Sequence, residues 1–128
     1  MNIGAASDAS AVSQRMIRHY EKIGLIPSPP RRDSGYRDYS QADVHLLRFI
    51  ANARDLGFPI GEIRVLLDLW SDRERASAEV KALAESRAGD LGRKADALNA
   101  MREALLDLAN ACHGDERPEC PILTRLAS

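Results

Sequence analysis

Aromatic residues make up only 5% of this 128-residue sequence, cysteine occurs twice and histidine three times. So thin an aromatic complement, beside abundant Ala, Leu, Arg, Glu and Asp, disfavours a β-sandwich and favours a helical, thinly cored architecture that gains from a partner. No run of about 18 apolar residues exists to span a bilayer, and the opening MNIGAASDAS lacks the basic and apolar regions of a secretory signal. A cytoplasmic protein is therefore expected. In that reducing environment Cys112 and Cys120 read as thiols or metal ligands rather than as a structural disulfide. The histidines lie far apart, no P-loop or G-x-S-x-G turn appears, and neither cysteine has a visible base partner, so enzymatic chemistry has little support. The length suits one compact domain, or a small head carrying an extended helix.

The net charge of -1 hides an asymmetry. Residues 1–54 hold eight Lys or Arg against five Asp or Glu, whereas residues 55–128 hold ten against fourteen. A polyanionic partner is to be sought at the basic N-terminal half, although so small a surplus is also compatible with an ordinary solvated surface.

Ile3 to Ala9 reads as a short helix, and Ser10 to Ser13 as a turn that ends in an N-cap for a second helix, Gln14 to Ile23. Gly24 stands where a C-terminal glycine stop belongs, so the two form a helix-turn-helix candidate. Pro27, Pro29, Pro30 and Gly35 exclude helix from the next stretch, and the alternation of ring and charge over Tyr36 to Tyr39 predicts a small hairpin, or wing. Ser40 then caps a third helix that runs to about Leu56, with Val44, Leu47 and Ile50 or Ala51 on one face and Gly57 ending it. A fourth, Ile60 to Trp70, turns Ile63, Leu66, Leu67 and Trp70 inward.

From about Ser77 to Asn110 there is no proline, and Ala84, Arg87, Leu91, Lys94, Leu98, Met101, Leu105 and Leu108 step alternately by three and four. This heptad seam predicts a helix about 50 Å long, more than a head of this size can cover, with Arg87 and Lys94 weakening one end. Self-association into a homodimer is the economical way to bury it; folding back on its own head is the alternative. Beyond it, Cys112 and Cys120 bracket a loop, and Pro121 opens a short apolar segment, Ile122 to Leu126.

Arg15 and Arg18 lie one turn apart on the second helix, and Arg31, Arg32, Tyr36 and Arg37 lie on the wing. The planar guanidinium fork suits phosphates and guanine edges, and tyrosine hydroxyls can donate to phosphate, so the set points to duplex DNA. Tyr20 and Tyr39 are as compatible with packing as with contact, and Arg32 and Lys22 read as exposed charges. Two thiols are too few for a closed zinc site, but a soft monovalent d10 ion such as Cu(I) accepts two thiolates in near-linear coordination. On spacing alone, metal binding and two unrelated thiols remain open alternatives, and His113 reads as a surface residue. A bis-thiolate around a +1 ion carries net charge -1. The N-terminus of the segment that begins at Pro121 opposes this charge, and so would Lys81 of a second chain running antiparallel.

Met1 to Gly4, Met16-Ile-Arg-His-Tyr-Glu21 with Gly24-Leu-Ile26, Gly35-Tyr-Arg-Asp-Tyr39, Leu56-Gly-Phe58, Leu108-Ala-Asn-Ala-Cys112 and Cys120-Pro-Ile122 together resemble the MerR family of transcription regulators. Within it they are most similar to the copper-responsive members of the CueR or HmrR type. The resemblance covers essentially the whole chain. It implies a mainly α protein: a winged helix-turn-helix DNA-binding head with a small β wing over residues 1–70, a linker and long antiparallel coiled-coil dimerisation helix over 71–111, and a metal-binding loop with a short C-terminal helix over 112–128. It further implies a homodimer that distorts promoter DNA so that RNA polymerase can engage, a readout by deformation.

Carried over residue by residue, the resemblance places DNA contacts at Arg15, Arg18, Tyr20, Arg31, Tyr36, Arg37 and Arg54, and metal ligands at Cys112 and Cys120. Ser77 falls where the family's divalent-ion sensors place a cysteine from the partner chain and its copper-type sensors place serine. The effector implied is Cu(I), with Ag(I) or Au(I) as substitutes, controlling copper export or detoxification genes. A thiol redox regulator that uses a Cys112–Cys120 disulfide, and a zinc, cadmium or lead sensor, are the alternatives; Ser77 also reads as an N-cap of the long helix, a role that does not exclude the other. Ala11 departs from the glycine usual in the family's first turn, so a tighter or shifted turn is expected.

Overall fold

The computed structural model describes all residues, 1–128, as six helices: α1 (Ile3–Ser10), α2 (Gln14–Lys22), α3 (Gln41–Asp55), α4 (Ile60–Ser71), α5 (Ser77–Ala111) and α6 (Pro121–Ala127). They form two compact units, Met1–Val80 and Lys81–Ser128, each described by itself. No helix is long and apolar enough to cross a membrane.

In the first unit, local polar chemistry sets the helix boundaries. The Asn2 side chain accepts the N–H of Ala5 at 2.8 Å to start α1, and Ser13 accepts that of Met16 at 3.2 Å to start α2. At α3, Ser40 and Asp43 each accept the other's backbone N–H, a reciprocal capping box. Gly24 and Gly57, at φ of 74° and 85°, follow the ends of α2 and α3 as expected.

The turn between α1 and α2 keeps the left-handed conformation that glycine favours: Ala11 has φ 61°. The turn is strapped by hydroxyls, with Ser7 donating to the carbonyl of Val12 at 2.6 Å and Ser10 accepting the N–H of Val12 at 3.2 Å. Ser10 itself closes α1 rather than opening the turn.

Helix α3 contributes Val44, Leu47 and Ile50 to the core at full burial, so Ile50 rather than the half-buried Ala51 completes its face. Against them pack Ala6, Ile17, Tyr20, Ile26, Tyr39 and Ile63. Burying each large aliphatic contributes about 1.5–3 kcal/mol. Trp70 departs from the inward reading: it is half exposed and stacks on Phe49, with centroids 4.7 Å apart and planes 9° from parallel. Ile63, two turns earlier, is the fully buried side chain of α4.

The wing is smaller than a paired hairpin. Its pairing is one antiparallel bridge, Arg31 to Arg37, closed by a turn in which the N–H of Gly35 donates to Arg32 at 2.8 Å and that of Arg32 to Tyr36 at 2.7 Å. Pro27, Pro29 and Pro30 lack the N–H donors that would extend the ladder. In the second unit, α5 exposes Leu91, Leu98, Met101 and Leu105 by 45–62%, while Arg87, within the same heptad series, is buried and ion-paired to Asp90 at 3.4 Å.

Candidate functional site

Two clusters of chemistry-bearing side chains stand out, one in each unit. In the first, Arg15 and Arg18 project from successive turns of α2, exposed and without an ion-pair partner. Arg18, Arg31, Tyr36 and Arg37 line one groove of about 300 Å³, together with Tyr39 and the start of α1. Arg32, Tyr36 and Arg37 line a second, of about 330 Å³. Tyr36 is 73% exposed, free to meet a ligand with both ring and hydroxyl.

The other sequence-predicted residues occupy supporting positions. The ring of Tyr20 is buried in the core, and its hydroxyl accepts from Arg54 Nη1 at 3.1 Å, so the end of α3 is tied to α2. Tyr39 is buried too, and burial foremost, with the Glu21 carboxylate nearby, pushes its phenol above the ordinary value. Arg31 donates to the carbonyl of Gly35 at 3.1 Å and so holds the wing turn. Arg32 is no bare exposed charge: it pairs with Asp38 at 3.1 Å, beside the N-terminal ammonium at 2.6 Å. Hydrogen bonds from that ammonium and from Arg32 hold the Asp38 carboxyl below the usual range.

Three structural roles escape a reading of the sequence. Arg48 donates twice to the carbonyl of Ala9, at 3.0 and 2.7 Å, and Arg64 donates to that of Ile23, so two arginines cap the C-terminal ends of the helix-turn-helix pair. Glu21 is buried beneath Arg37, which donates to it at 2.6 Å. Only for Glu21 was there a sequence signal: it follows Ile17 by one turn, on the face that Tyr20 also occupies.

In the second unit, Cys112 directly follows α5 and Cys120 precedes Pro121, the first residue of α6; both are free and half-buried. Gly114, at φ 65°, turns the intervening loop, and Asp115 braces it by accepting the N–H of Arg117 at 2.9 Å and its Nε at 2.8 Å. The Cys120 thiol is held below its ordinary value, foremost by the amide of Leu123, against partial desolvation, with help from the amide of Ile122 and the Cys112 thiol. The Thr124 hydroxyl donates to the Cys120 carbonyl at 3.1 Å and anchors its backbone. His113 is exposed, and no three His, Cys, Asp or Glu side chains converge.

At the other end of the long helix, Ser77 is the first helical residue and its hydroxyl caps nothing, contrary to the N-cap reading. Lys81 pairs with Glu85 at 3.8 Å, both exposed. A continuous helix of 35 residues separates its ends by about 50 Å.

Residues 1–70 match the family described as MerR HTH family regulatory protein, and residues 44–108 the family described as MerR, DNA binding. The chain is 52% identical over 128 residues to the heavy metal-dependent transcription regulator 2 of Rhizobium meliloti, covering all of this chain and 87% of that protein. It is 54% identical over 127 residues to the HTH-type transcriptional regulator HmrR of Sinorhizobium medicae, covering 99% and 86%. Among solved structures it resembles the transcription regulator PbrR691 of Ralstonia metallidurans in complex with lead(II), with a TM-score of 0.84, 32% identity and 98% of each chain covered.

Proposed function

Since this chain belongs to the MerR family of helix-turn-helix transcription regulators, we propose that it is a cytoplasmic homodimer that activates copper export or detoxification genes on binding Cu(I). It is a regulator and not an enzyme. The observation that carries the metal reading is the pair of free, half-buried thiols that bracket one loop, Cys112 and Cys120, with the Cys120 thiol held low in part by Cys112 and no third donor converging on them. Such a donor set fits a soft monovalent ion, Cu(I), Ag(I) or Au(I), which is satisfied by two thiolates. Ser77 agrees with this, because a partner's hydroxyl in antiparallel register supplies no third soft donor to a divalent ion. Lys81 of that partner offsets the net negative charge of the bis-thiolate.

Arg15, Arg18, Arg31, Tyr36, Arg37 and Arg54 hold the phosphate backbone of promoter DNA, with the Tyr20 hydroxyl orienting Arg54 from behind. The ion acts by ordering the loop and α6. Ile122, Leu123 and Leu126 then transmit that order through the dimer to the heads, which bend and untwist the operator for RNA polymerase. Coupling of this kind needs only a difference in metal affinity between two dimer shapes, not a change in DNA affinity.

The likeness to a regulator in complex with lead(II) favours a second reading, a divalent-ion sensor. It requires a donor beyond the two thiols. Transcription from a promoter bound by the protein separates the cases: copper induction lost in Cys112→Ser and in Cys120→Ser, with operator binding retained, supports the first reading. Induction by zinc or lead with copper chelated supports the second, and induction by oxidant under the same conditions supports a reversible disulfide between the two cysteines.

A further inference from the structure

Glu21 lies in the last turn of α2 with its side chain only 5% exposed, beside a surface otherwise rich in guanidinium groups. A buried carboxylate persists only where its charge is answered. Two groups answer it: Arg37 Nε donates to Oε1 at 2.6 Å, and the Tyr39 hydroxyl donates to Oε2 at 3.4 Å. Both belong to the segment that forms the wing and its root, so the carboxylate joins that segment to α2.

A guanidinium has two donor edges. Glu21 engages Arg37 at Nε, and the Nη groups make no hydrogen bond within the chain; the side chain stays 41% exposed and lines the groove shared with Arg18, Arg31 and Tyr36. We propose that Glu21 is a positioning residue for DNA binding: it holds Arg37 by one edge and so presents the other to a backbone phosphate. The inference rests on the DNA-binding reading above. It differs in sign from simple electrostatics, because a carboxylate that merely lay near a polyanion would weaken binding, and its neutralisation would strengthen it.

The test uses the full-length chain and a duplex that the wild-type protein selects from a random-sequence pool, with fluorescence anisotropy over a salt series. Arg37→Ala and Glu21→Gln should each weaken binding about tenfold, and each should lower the slope of log K against log salt by about 1. The double variant should bind no more weakly than Arg37→Ala alone. Arg37→Lys, which leaves Glu21 paired and the core untouched, should also lose a phosphate's worth of slope, because one ammonium cannot serve both partners. Tight binding by Glu21→Gln with the wild-type slope, while Arg37→Ala is weakened, overturns the positioning role. Wild-type binding by Arg37→Ala overturns its premise, and failure to select any duplex overturns the DNA-binding reading itself.

Discussion

The phenol oxygen of Tyr20 accepts a hydrogen bond from Arg54 Nη1 at 3.1 Å, from a ring that is otherwise buried in the core. α2 thus supports the last turn of α3 through a single polar atom. Tyr20→Phe keeps the ring and removes that acceptor. Stability should fall by no more than about 1 kcal/mol, while DNA affinity should fall several-fold because Arg54 is no longer oriented. Thermal melts and DNA titrations of the same preparation check both halves.

Ala11 holds a left-handed φ of 61° at the end of α1. For a residue with a Cβ that conformation costs about 1–2 kcal/mol. Ala11→Gly removes the strain but adds unfolded-state freedom worth about 0.4–1 kcal/mol, so a net gain of up to about 1.5 kcal/mol and a melting temperature raised by a few degrees are expected. Denaturant midpoints with an unchanged m-value measure it cleanly.

Asp38 has a lowered pKa because it accepts from the N-terminal ammonium and from Arg32. A carboxyl whose folded pKa is depressed contributes stability above its unfolded value, near 3.9, and that contribution is lost as pH falls through the folded pKa. Asp38→Asn should therefore be less stable than wild type at neutral pH. The difference should close in acid, as followed by denaturation from pH 7 to pH 2.

The seam of α5 leaves Leu98, Met101 and Leu105 exposed by 55–62% within one chain. Burying them against a second copy is what the heptad spacing provides. Leu98→Glu with Leu105→Glu should convert the protein to monomer at micromolar concentration in sedimentation. A dimer that survives both charges would place the interface elsewhere.

How far sequence carries structure is clear from particular residues. Ser13, Ser40, Gly24 and Gly57 mark helix ends because capping is local, a matter of a side chain and the amide two or three residues on. Arg48 and Arg64 carry no local signal because their acceptors are carbonyls 39 and 41 residues away, fixed only once α3 and α4 have docked. The wing is legible in the ring-charge alternation of Tyr36 to Tyr39, and its shortness, a single antiparallel bridge, follows from the missing donors of three prolines. Trp70 fitted an inward spacing, yet its indole stacks on Phe49 at the surface. For the thiol site, spacing names Cys112 and Cys120, whereas the Asp115 carboxylate that braces the loop by accepting from Arg117 gives no signal in the sequence.

On the proposed reading, Cys112 and Cys120 hold one monovalent soft ion between them. The direct test titrates the reduced, metal-free protein with Cu(I), and separately with Zn(II), against a competing chelator, and reads the coordination by X-ray absorption. One copper per chain with two sulfur neighbours, and only weak zinc, is the expected result. Tight zinc with three or more donors, or no tight copper site at all, would contradict it.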